Sequence, residues 1–190
     1  MERLIIGISG ASGIVYSLRM LQVLKKVDNI ETHLVMSQSS YETLKIESKL
    51  NLRNVQDMAN VIHNVQNMAA SISSGSFKTL GMVILPCSIK TLSGIVHSYS
   101  DSLLIRAADV ILKEKRKLVL CLRETPLHIG HLRMMTKAAK LGAIIMPMVP
   151  AFYHYPQNIE QIIDQTVNRI IDQFDIKLSE DLFTRWNGIQ

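Results

Sequence analysis

Five short apolar runs recur along the chain, and each ends in a turn with polar side chains. The runs are rich in Ile, Val and Leu and cover residues 4–8, 32–36, 82–85, 118–122 and 143–146. Strands that are apolar throughout are typical of a parallel sheet that helices cover on both faces. The pattern therefore predicts an α/β fold, namely a Rossmann-like three-layer sandwich with a central parallel sheet.

Helical periodicity fills the intervals between these runs. It is clearest in residues 159–174 and is also present in residues 15–26 and 103–115. An apolar stripe of this kind predicts helices that pack one face on the sheet. We expect residues 1–190 to form a single domain, with residues 178–190 as a less regular C-terminal tail. The one tryptophan, Trp186, lies in this tail and fits either a pocket wall or a contact between subunits.

A glycine-rich turn, Ser9-Gly10-Ala11-Ser12-Gly13, follows the first predicted strand and precedes a helix. Glycines let the backbone turn tightly, and hydroxyls together with the free N–H groups of the helix can hold an anion. The spacing of Gly7, Gly10 and Gly13 differs from the G-x-G-x-x-G of dinucleotide-binding turns, so a phosphorylated cofactor other than NAD is favoured. A tight turn without a ligand is an equally good interpretation of this stretch alone.

Polar turns also follow the other four predicted strands. They cover residues 37–40, 86–91, 123–126 and 147–155. Because ligands of open parallel sheets bind beyond the carboxyl ends of the strands, these turns are the candidate binding surface. Their hydroxyl, charged and aromatic side chains suit a phosphorylated ligand. Structural roles compete, because Ser39 and Ser88 are also good candidates for helix N-caps.

Composition narrows the class of protein. The chain has 190 residues, of which 47% are hydrophobic, and a formal net charge of +5. Its basic clusters, at residues 113–117 and 133–140, contain no interleaved aromatic residues, which favours small acidic ligands over nucleic acid. There is no apolar run long enough for a spanning helix and no cleavable leader before the first strand, so a cytoplasmic protein without a membrane partner is expected.

The cysteines and histidines do not indicate a metal site. Cys87 and Cys121 each lie near the end of a predicted strand, which favours small buried residues over a disulfide or a metal pair. The six histidines show no metal-ligand spacing on a common helix face. No metal is therefore expected in the site.

Six short motifs are distinctive in this chain, namely Gly10-Ala-Ser-Gly13, Ser73-Ser-Gly-Ser76, Pro86-Cys-Ser-x-x-Thr91, Arg106-Ala-Ala-Asp-Val110 with Lys113, Leu122-Arg-Glu-Thr-Pro126 and Pro150-Ala-Phe-Tyr153. They resemble the motifs of a known family, the UbiX-type flavin prenyltransferases, which include the B subunits that accompany phenolic acid decarboxylases. Their order and spacing resemble the family over essentially the full chain. The resemblance implies the fold of homo-oligomeric flavin-containing Cys decarboxylases and related flavoproteins.

The same resemblance implies a cofactor-making enzyme. The family moves a dimethylallyl group from dimethylallyl phosphate to N5 and then C6 of reduced FMN, and the prenylated FMN serves a UbiD-type decarboxylase. Its members form homo-oligomers, typically dodecamers built from trimers. Two other functions stay open: a non-catalytic FMN-binding subunit of a hydroxyarylic (phenolic) acid decarboxylase, and an FMN-dependent cysteine decarboxylase. The second is disfavoured because the P-x-M-N-x-x-M segment of those enzymes is absent from this sequence.

The resemblance also implies which residues bind FMN. They lie in the polar turns and comprise Gly10, Ala11, Ser12, Ser37, Ser88, Ile89, Lys90, Thr91 and Arg123. The chemistry of these residues agrees with the role, because short hydroxyl side chains and backbone N–H groups surround a phosphate without bulk. A guanidinium adds a forked pair of hydrogen bonds to oxygen atoms.

The resemblance assigns four residues to the binding of dimethylallyl phosphate, namely Tyr153, Arg169, Arg106 and Lys113. Several cations around one phosphate would make it a better leaving group. Arg106 and Lys113 are about two helical turns apart and so project from one face of a helix. By spacing alone, this pair fits an ordinary solvated basic surface.

Glu124, Glu47, Ser12 and Lys113 are the catalytic residues that the resemblance implies. A base near the flavin has to manage the protons at N5 and C6, and Glu124 beside Arg123 suits this task. Ser12 is placed to bridge a carboxylate and the flavin. Each carboxylate has a structural alternative, namely an ion pair between Glu124 and Arg123 and an exposed helical position for Glu47.

Overall fold

A computed structural model describes residues 1–188; Ile189 and Gln190, the end of the predicted tail, lie outside the described residues. The strands within this range are β1 (Glu2–Ile8), β2 (Ile30–Met36), β3 (Val61–His63), β4 (Gly81–Cys87), β5 (Lys117–Leu122) and β6 (Ile144–Ile145). They form one parallel sheet in the spatial order β3-β2-β1-β4-β5-β6. The chain therefore starts in the middle of the sheet and winds outward to each edge in turn.

Helices connect these strands on both faces of the sheet. They are α1 (Ile14–Leu24), α2 (Gln38–Glu47), α3 (Leu52–Gln56), α4 (Ile89–Val96), α5 (Leu103–Lys113), α6 (Ile129–Lys140) and α7 (Ile159–Asp172), with a 3₁₀ turn at Ser71–Ser73. Within residues 1–188, no helix is long and apolar enough to cross a membrane.

The side chains of each strand alternate between two separate cores. In β1, Leu4 and Ile6 point to the face that α1 and α7 cover, and Ile5 points to the face that α4 and α5 cover. All three side chains are at most 1% exposed. Burial on both faces explains why the strands are apolar throughout. The predicted three-layer α/β sandwich with a parallel sheet is confirmed.

The predicted elements differ from the observed ones mainly at their ends. Helices α1, α5 and α7 each end two residues earlier than predicted, and the last strand is shorter than predicted. Strand β3 was not predicted, because its three residues are partly buried or exposed and too few to show a period.

Gly81 begins β4 at a point where the sheet leaves no room for a side chain. Its φ is +152°, and a Cβ there would collide with the backbone carbonyl oxygen of Lys117 on β5. Gly142 has φ +102°, but a Cβ there would meet no atom within 4 Å. The two glycines therefore separate the steric effect of a methyl group from its effect on the backbone.

Gly81→Ala should lower the free energy of unfolding by about 3 kcal/mol, because the new methyl group overlaps a fixed backbone atom. Gly142→Ala should cost only about 1 kcal/mol, the effect of an unfavourable φ. Urea denaturation of both variants under the same conditions measures the difference. Equal losses in the two variants would contradict the steric argument.

Candidate functional site

The turns that follow the strands lie side by side at the carboxyl edge of the sheet. The Ser37 N–H donates to the Ile8 carbonyl at 2.9 Å, which ties the end of β2 to the end of β1. The Arg123 N–H donates to the Cys87 carbonyl at 3.1 Å, which ties the end of β5 to the end of β4. The turns that contain the residues assigned to FMN therefore share one edge.

The side chain of Ser9 joins the two central strands at this edge. Its hydroxyl donates to the Pro86 carbonyl at 2.9 Å and accepts from the Ser88 N–H at 2.8 Å. Ser9 is 1% exposed, so both hydrogen bonds are shielded from water. Ser9 thereby fixes the turn after β1 against the turn after β4, a role that sequence reasoning missed because the partners are backbone atoms distant in the chain.

Gly10 and Gly13 are required by the shape of the first turn. A Cβ at Gly10 would collide with the side chain of Ser39 on α2. Gly13 is the N-cap of α1 and has φ +99°, a left-handed conformation that favours glycine. Between these two glycines, Ser12 is exposed at the edge.

Serines cap the two helices that begin beside this turn. The Ser37 hydroxyl accepts from the Ser40 N–H at the start of α2, and the Ser88 hydroxyl accepts from the Thr91 N–H at the start of α4, each at 3.3 Å. The expected cap at Ser88 is confirmed. The expected cap at Ser39 is wrong, because Ser37 is the residue with extended backbone directly before the helix. Together with α1, three helices turn the positive ends of their dipoles toward this edge.

A cleft of about 410 Å³ lies beside these caps. Four residues of the predicted FMN set line it, namely Ser37, Ser88, Lys90 and Thr91. The rest of its lining includes Val65, Gln66, Asp101, Ser102, Leu104 and Ile105. Sequence reasoning missed this wall, because its apolar members are indistinguishable from core residues in the sequence. Hydroxyls and helix N-termini opposite the apolar side chains of Val65, Leu104 and Ile105 fit FMN, which has a phosphate and a flat ring.

Glu47, at the end of α2, caps the first helix of the chain. Its Oε2 accepts from the Gly13 N–H at 2.8 Å and from the Ile14 N–H at 3.1 Å. A carboxylate at a helix N-terminus satisfies unpaired N–H groups and is stabilised by the helix dipole. Glu47 is exposed, as its helical position suggested, yet its carboxylate lies beside the turn that contains Ser12. Glu47 thus caps α1 at the same place where the sequence predicts a catalytic carboxylate.

Glu124 and Arg123 follow β5, and both are exposed. Glu124 accepts from the Thr125 N–H through Oε1 at 3.1 Å. Among residues 1–188, Glu124 and Arg123 do not form an ion pair. The structural alternative for Glu124 is therefore not observed.

Tyr153 and Arg169 line a pocket of about 530 Å³ on the α7 side of the sheet. Its other walls are Phe183, Arg185 and Trp186. Trp186 stands edge-to-face against Tyr153, with the ring centroids 6.0 Å apart. Within one chain Trp186 is therefore a pocket wall, one of its two expected roles. Its other expected role, a contact between subunits, stays untested.

Arg106 and Lys113 project from α5 on the opposite side of the sheet. Arg106 donates to the Ser73 carbonyl at 3.3 Å and to Asp109 at 3.1 Å. Lys113 pairs with Glu114, and this hydrogen bond holds the pKa of the Glu114 carboxyl below its usual range. A Cβ on Gly75 would collide with this ion pair, so both cations lie against the Ser73–Ser76 motif.

Arg116, which follows α5, holds the same motif and was missed by sequence reasoning. Its NH1 donates to the Phe77 carbonyl at 2.7 Å, and its NH2 donates to the Gly75 carbonyl at 2.6 Å. In the sequence, Arg116 is one member of a basic run that is typical of a solvated surface. The structure instead uses it to fix the segment beside Arg106 and Lys113.

One chain thus holds the predicted residues in three places. The FMN residues lie at the carboxyl edge, Tyr153 and Arg169 lie on the α7 side, and Arg106 and Lys113 lie on the α5 side. The four residues assigned to dimethylallyl phosphate are not brought together within one chain, because α5 and α7 pack into different cores on opposite faces of the sheet.

The two cysteines lie in the interior. Cys87 and Cys121 are fully buried free thiols, as expected from their position near strand ends. Burial raises the pKa of both thiols. Because the thiolate is the reactive form, neither cysteine is a candidate nucleophile.

Glu47→Ala should lower the free energy of unfolding by about 1 kcal/mol, because two N–H groups of α1 lose their acceptor. Glu47→Gln keeps an oxygen acceptor and should cost less. Glu42→Ala on the same helix is the control, since the Glu42 carboxylate forms an exposed ion pair with Lys45, worth less than about 0.5 kcal/mol. Glu42 also lines the cleft, so denaturant unfolding without FMN measures these losses. A loss in Glu42→Ala as large as that in Glu47→Ala would contradict the capping role.

This chain is similar to known proteins over nearly its whole length. A family model described as Flavoprotein matches residues 1–171. The flavin prenyltransferase UbiX of Escherichia coli (strain K12) is 68% identical over 188 residues, which is 99% of this chain and 100% of that protein. The match therefore includes every turn of the candidate site.

Two solved structures are similar over nearly their whole length. AnUbiX (PadA1), solved in complex with FMN and dimethylallyl pyrophosphate, has a TM-score of 0.94 and 45% identity and covers 100% of this chain and 99% of its own. A dodecameric FMN-dependent UbiX-like decarboxylase from Escherichia coli O157:H7 has a TM-score of 0.93 and 44% identity, with 98% and 100% covered. This chain therefore belongs to the flavoprotein family and, within it, to the UbiX flavin prenyltransferases.

Proposed function

We propose that this protein is a flavin prenyltransferase that moves a dimethylallyl group from dimethylallyl phosphate to N5 and C6 of reduced FMN. The observation that supports the proposal most directly is the carboxyl edge, where three helix N-termini and a cleft with an apolar wall converge. The relative that is 68% identical over 99% of this chain is named for this activity. A structural neighbour was solved with FMN and dimethylallyl pyrophosphate.

The turns at the carboxyl edge hold FMN in this proposal. The residues are Gly10, Ala11, Ser12, Ser37, Ser88, Ile89, Lys90, Thr91 and Arg123. Backbone N–H groups at helix N-termini and serine hydroxyls suit a phosphate, and Arg123 adds a guanidinium for oxygen atoms. Reduced FMN supplies the two acceptor atoms of the reaction.

The cations for dimethylallyl phosphate come, we infer, from more than one copy of the chain. Lys113 and Arg106 lie on the α5 face, and Arg169 and Tyr153 lie on the α7 face, with the sheet between them. All four can reach one phosphate only if neighbouring copies contribute. A relative that is 44% identical was solved as a dodecamer. A homo-oligomer, specifically a dodecamer built from trimers, would join the α5 face of one copy to the α7 face of the next.

The residues of the joined site have distinct chemical tasks. Arginine and lysine stabilise the negative charge that grows on phosphate as the allylic C–O bond breaks. The aromatic faces of Tyr153 and Trp186 suit the positive charge that develops on the allyl group. Glu124 and Glu47 lie at the turns proposed to hold FMN, where a carboxylate can move protons, and Ser12 lies in the turn directly before α1, the helix that Glu47 caps.

A UbiD-type decarboxylase is the proposed recipient of the prenylated FMN. The cytoplasmic location and the single domain of residues 1–190 that were expected from the sequence stay predictions.

The alternative function, a non-catalytic FMN-binding subunit, would bind FMN and leave dimethylallyl phosphate intact. The two functions differ in the mass of the flavin after incubation.

Incubation with reduced FMN and dimethylallyl phosphate should raise the mass of the flavin by one dimethylallyl group, as mass spectrometry would show. Arg169→Ala should keep FMN and lose about 10²-fold in transfer, because it removes a cation that stabilises the leaving group. Arg53→Ala, on α3, is the control and should transfer at the normal rate. FMN that stays bound at its original mass in the unmodified protein would support the alternative function instead.

Mixed oligomers test whether the site is shared between copies. Lys113→Ala and Arg169→Ala should each be nearly inactive alone. When they are co-expressed, about a quarter of the sites should receive both intact residues by random mixing, because the residues come from different copies. Prenylated FMN formed per protomer measures the recovery.

The matched control co-expresses Lys113→Ala with Arg106→Ala. Both changes are on α5, so one copy contributes both residues to a site, and no recovery is expected. If co-expression of Lys113→Ala with Arg169→Ala also gave no recovery, that result would contradict a site built from two copies.

A further inference from the structure

Residues 178–188 form no helix or strand, yet the segment is tied to α7 at two points. The Leu182 N–H donates to the Oδ1 of the buried Asn168 at 2.8 Å. Arg185 provides the second tie through its side chain. Because no sheet or helix hydrogen bonds hold this segment, its path depends on side-chain contacts, namely these two ties and the packing of Leu178 and Leu182 on the core.

Arg185 bridges two carboxylates, one on α7 and one in the segment itself. Its Nε and NH2 each donate to Asp181 at 2.6 Å, and its NH1 and NH2 donate to Asp172 at 2.9 and 2.8 Å. Forked pairs of this kind are the strong form of guanidinium–carboxylate pairing. They hold the pKa of the Asp172 and Asp181 carboxyls below their usual range. All three nitrogens of the guanidinium are engaged by these carboxylates.

The bridge determines where the neighbouring residue lies. Trp186 contacts Tyr153 edge-to-face, but its side chain is 60% exposed, so packing within the chain does little to hold it. A large aromatic ring on an irregular segment would sample many positions if its backbone were free. The Arg185 bridge is the contact nearest to Trp186 that fixes the backbone to α7.

The same bridge reaches Arg169, which faces the pocket with Tyr153. The Asp172 Oδ2 accepts from Arg169 NH1 and from Arg185 NH1, each at 2.9 Å. Arg185 therefore orients the carboxylate that orients Arg169. The positions of two pocket walls, the Trp186 indole and the Arg169 guanidinium, therefore depend on Arg185, whose own guanidinium pairs with carboxylates.

We propose that Arg185 is a positioning residue that, by bridging Asp172 and Asp181, holds Trp186 as a wall of the pocket for the dimethylallyl group. The inference rests on the proposed function, which places Tyr153 and Arg169 at dimethylallyl phosphate. Because its nitrogens are engaged, Arg185 acts through Trp186 rather than by binding the substrate.

Trp186 is the only tryptophan of the chain, so intrinsic fluorescence reports its surroundings. Arg185→Lys keeps the charge but loses the planar fork that pairs with two carboxylates. We expect Arg185→Lys and Asp181→Asn to increase acrylamide quenching and to shift the emission to longer wavelength, at unchanged FMN content. Arg53→Lys, on α3, is the matched control and should change neither. Unchanged fluorescence in both bridge variants would overturn the proposal.

Kinetics test whether the position of Trp186 matters to the substrate. The KM for dimethylallyl phosphate should rise about threefold to tenfold in Arg185→Lys and in Trp186→Ala, the range for loss of one aromatic contact, with a smaller change in kcat. The effects of the two changes on KM should not multiply in the double variant, because Arg185 acts on the substrate through the position of Trp186. Full multiplication of the two effects would mean that Arg185 acts independently of Trp186, and movement of Trp186 without a change in KM would mean that Trp186 is no wall of the pocket. Either result would overturn the inference.

The proposed function and the proposed role of Arg185 can fail separately. If Arg169→Ala transferred the dimethylallyl group at the normal rate, the assignment of this pocket to the substrate would fail. The fluorescence of Arg185→Lys would still decide whether the bridge holds Trp186.

Discussion

The direction of the strands is the constraint on which the site depends. All strands described here are parallel, so their carboxyl ends meet at one edge, and the helices that follow β1, β2 and β4 begin there. Each helix start presents unpaired N–H groups and a positive dipole end. Ser9 and the backbone bonds between turns fix these starts against one another. The preference of this edge for an anion therefore follows from topology, and individual hydroxyls refine it.

The sheet that gathers the FMN residues also separates the cations. Lys113 and Arg169 belong to helices that pack into two different apolar cores, and the apolar side chains of the central strands β1, β4 and β5 between those cores are buried. No rotation of a side chain can bring the two together, because the sheet itself would have to open. A phosphate that both residues contact requires a second copy of the chain. In the proposed function, assembly is therefore part of the active site, and the exposed Lys113 of one chain is available to a neighbouring copy.

The sequence allows the layers and the polar turns to be predicted because both are local patterns. The run Leu4–Ile8 is apolar on both faces, and the helix of residues 159–174 has a strong period. Glu47 is different, because the partner of its carboxylate is 34 residues away and depends on how α2 packs beside α1. Arg116 binds backbone carbonyls, which no side-chain pattern reveals. Strand β3 is too short to show a period. What the sequence could not predict is therefore long-range contact with backbone atoms.

The two arginines that share Asp172 differ in how many hydrogen bonds hold them, and this difference supports the roles proposed for them. Arg185 gives four of its five N–H groups to carboxylates, so a phosphate could accept a forked pair of hydrogen bonds from it only by displacing a carboxylate. Arg169 gives only NH1 to Asp172, and its other two nitrogens have no partner within residues 1–188. An arriving phosphate can bind those nitrogens while Asp172 keeps the guanidinium in place. One carboxylate thus leaves one arginine ready for a ligand and helps to fix the other in the structure.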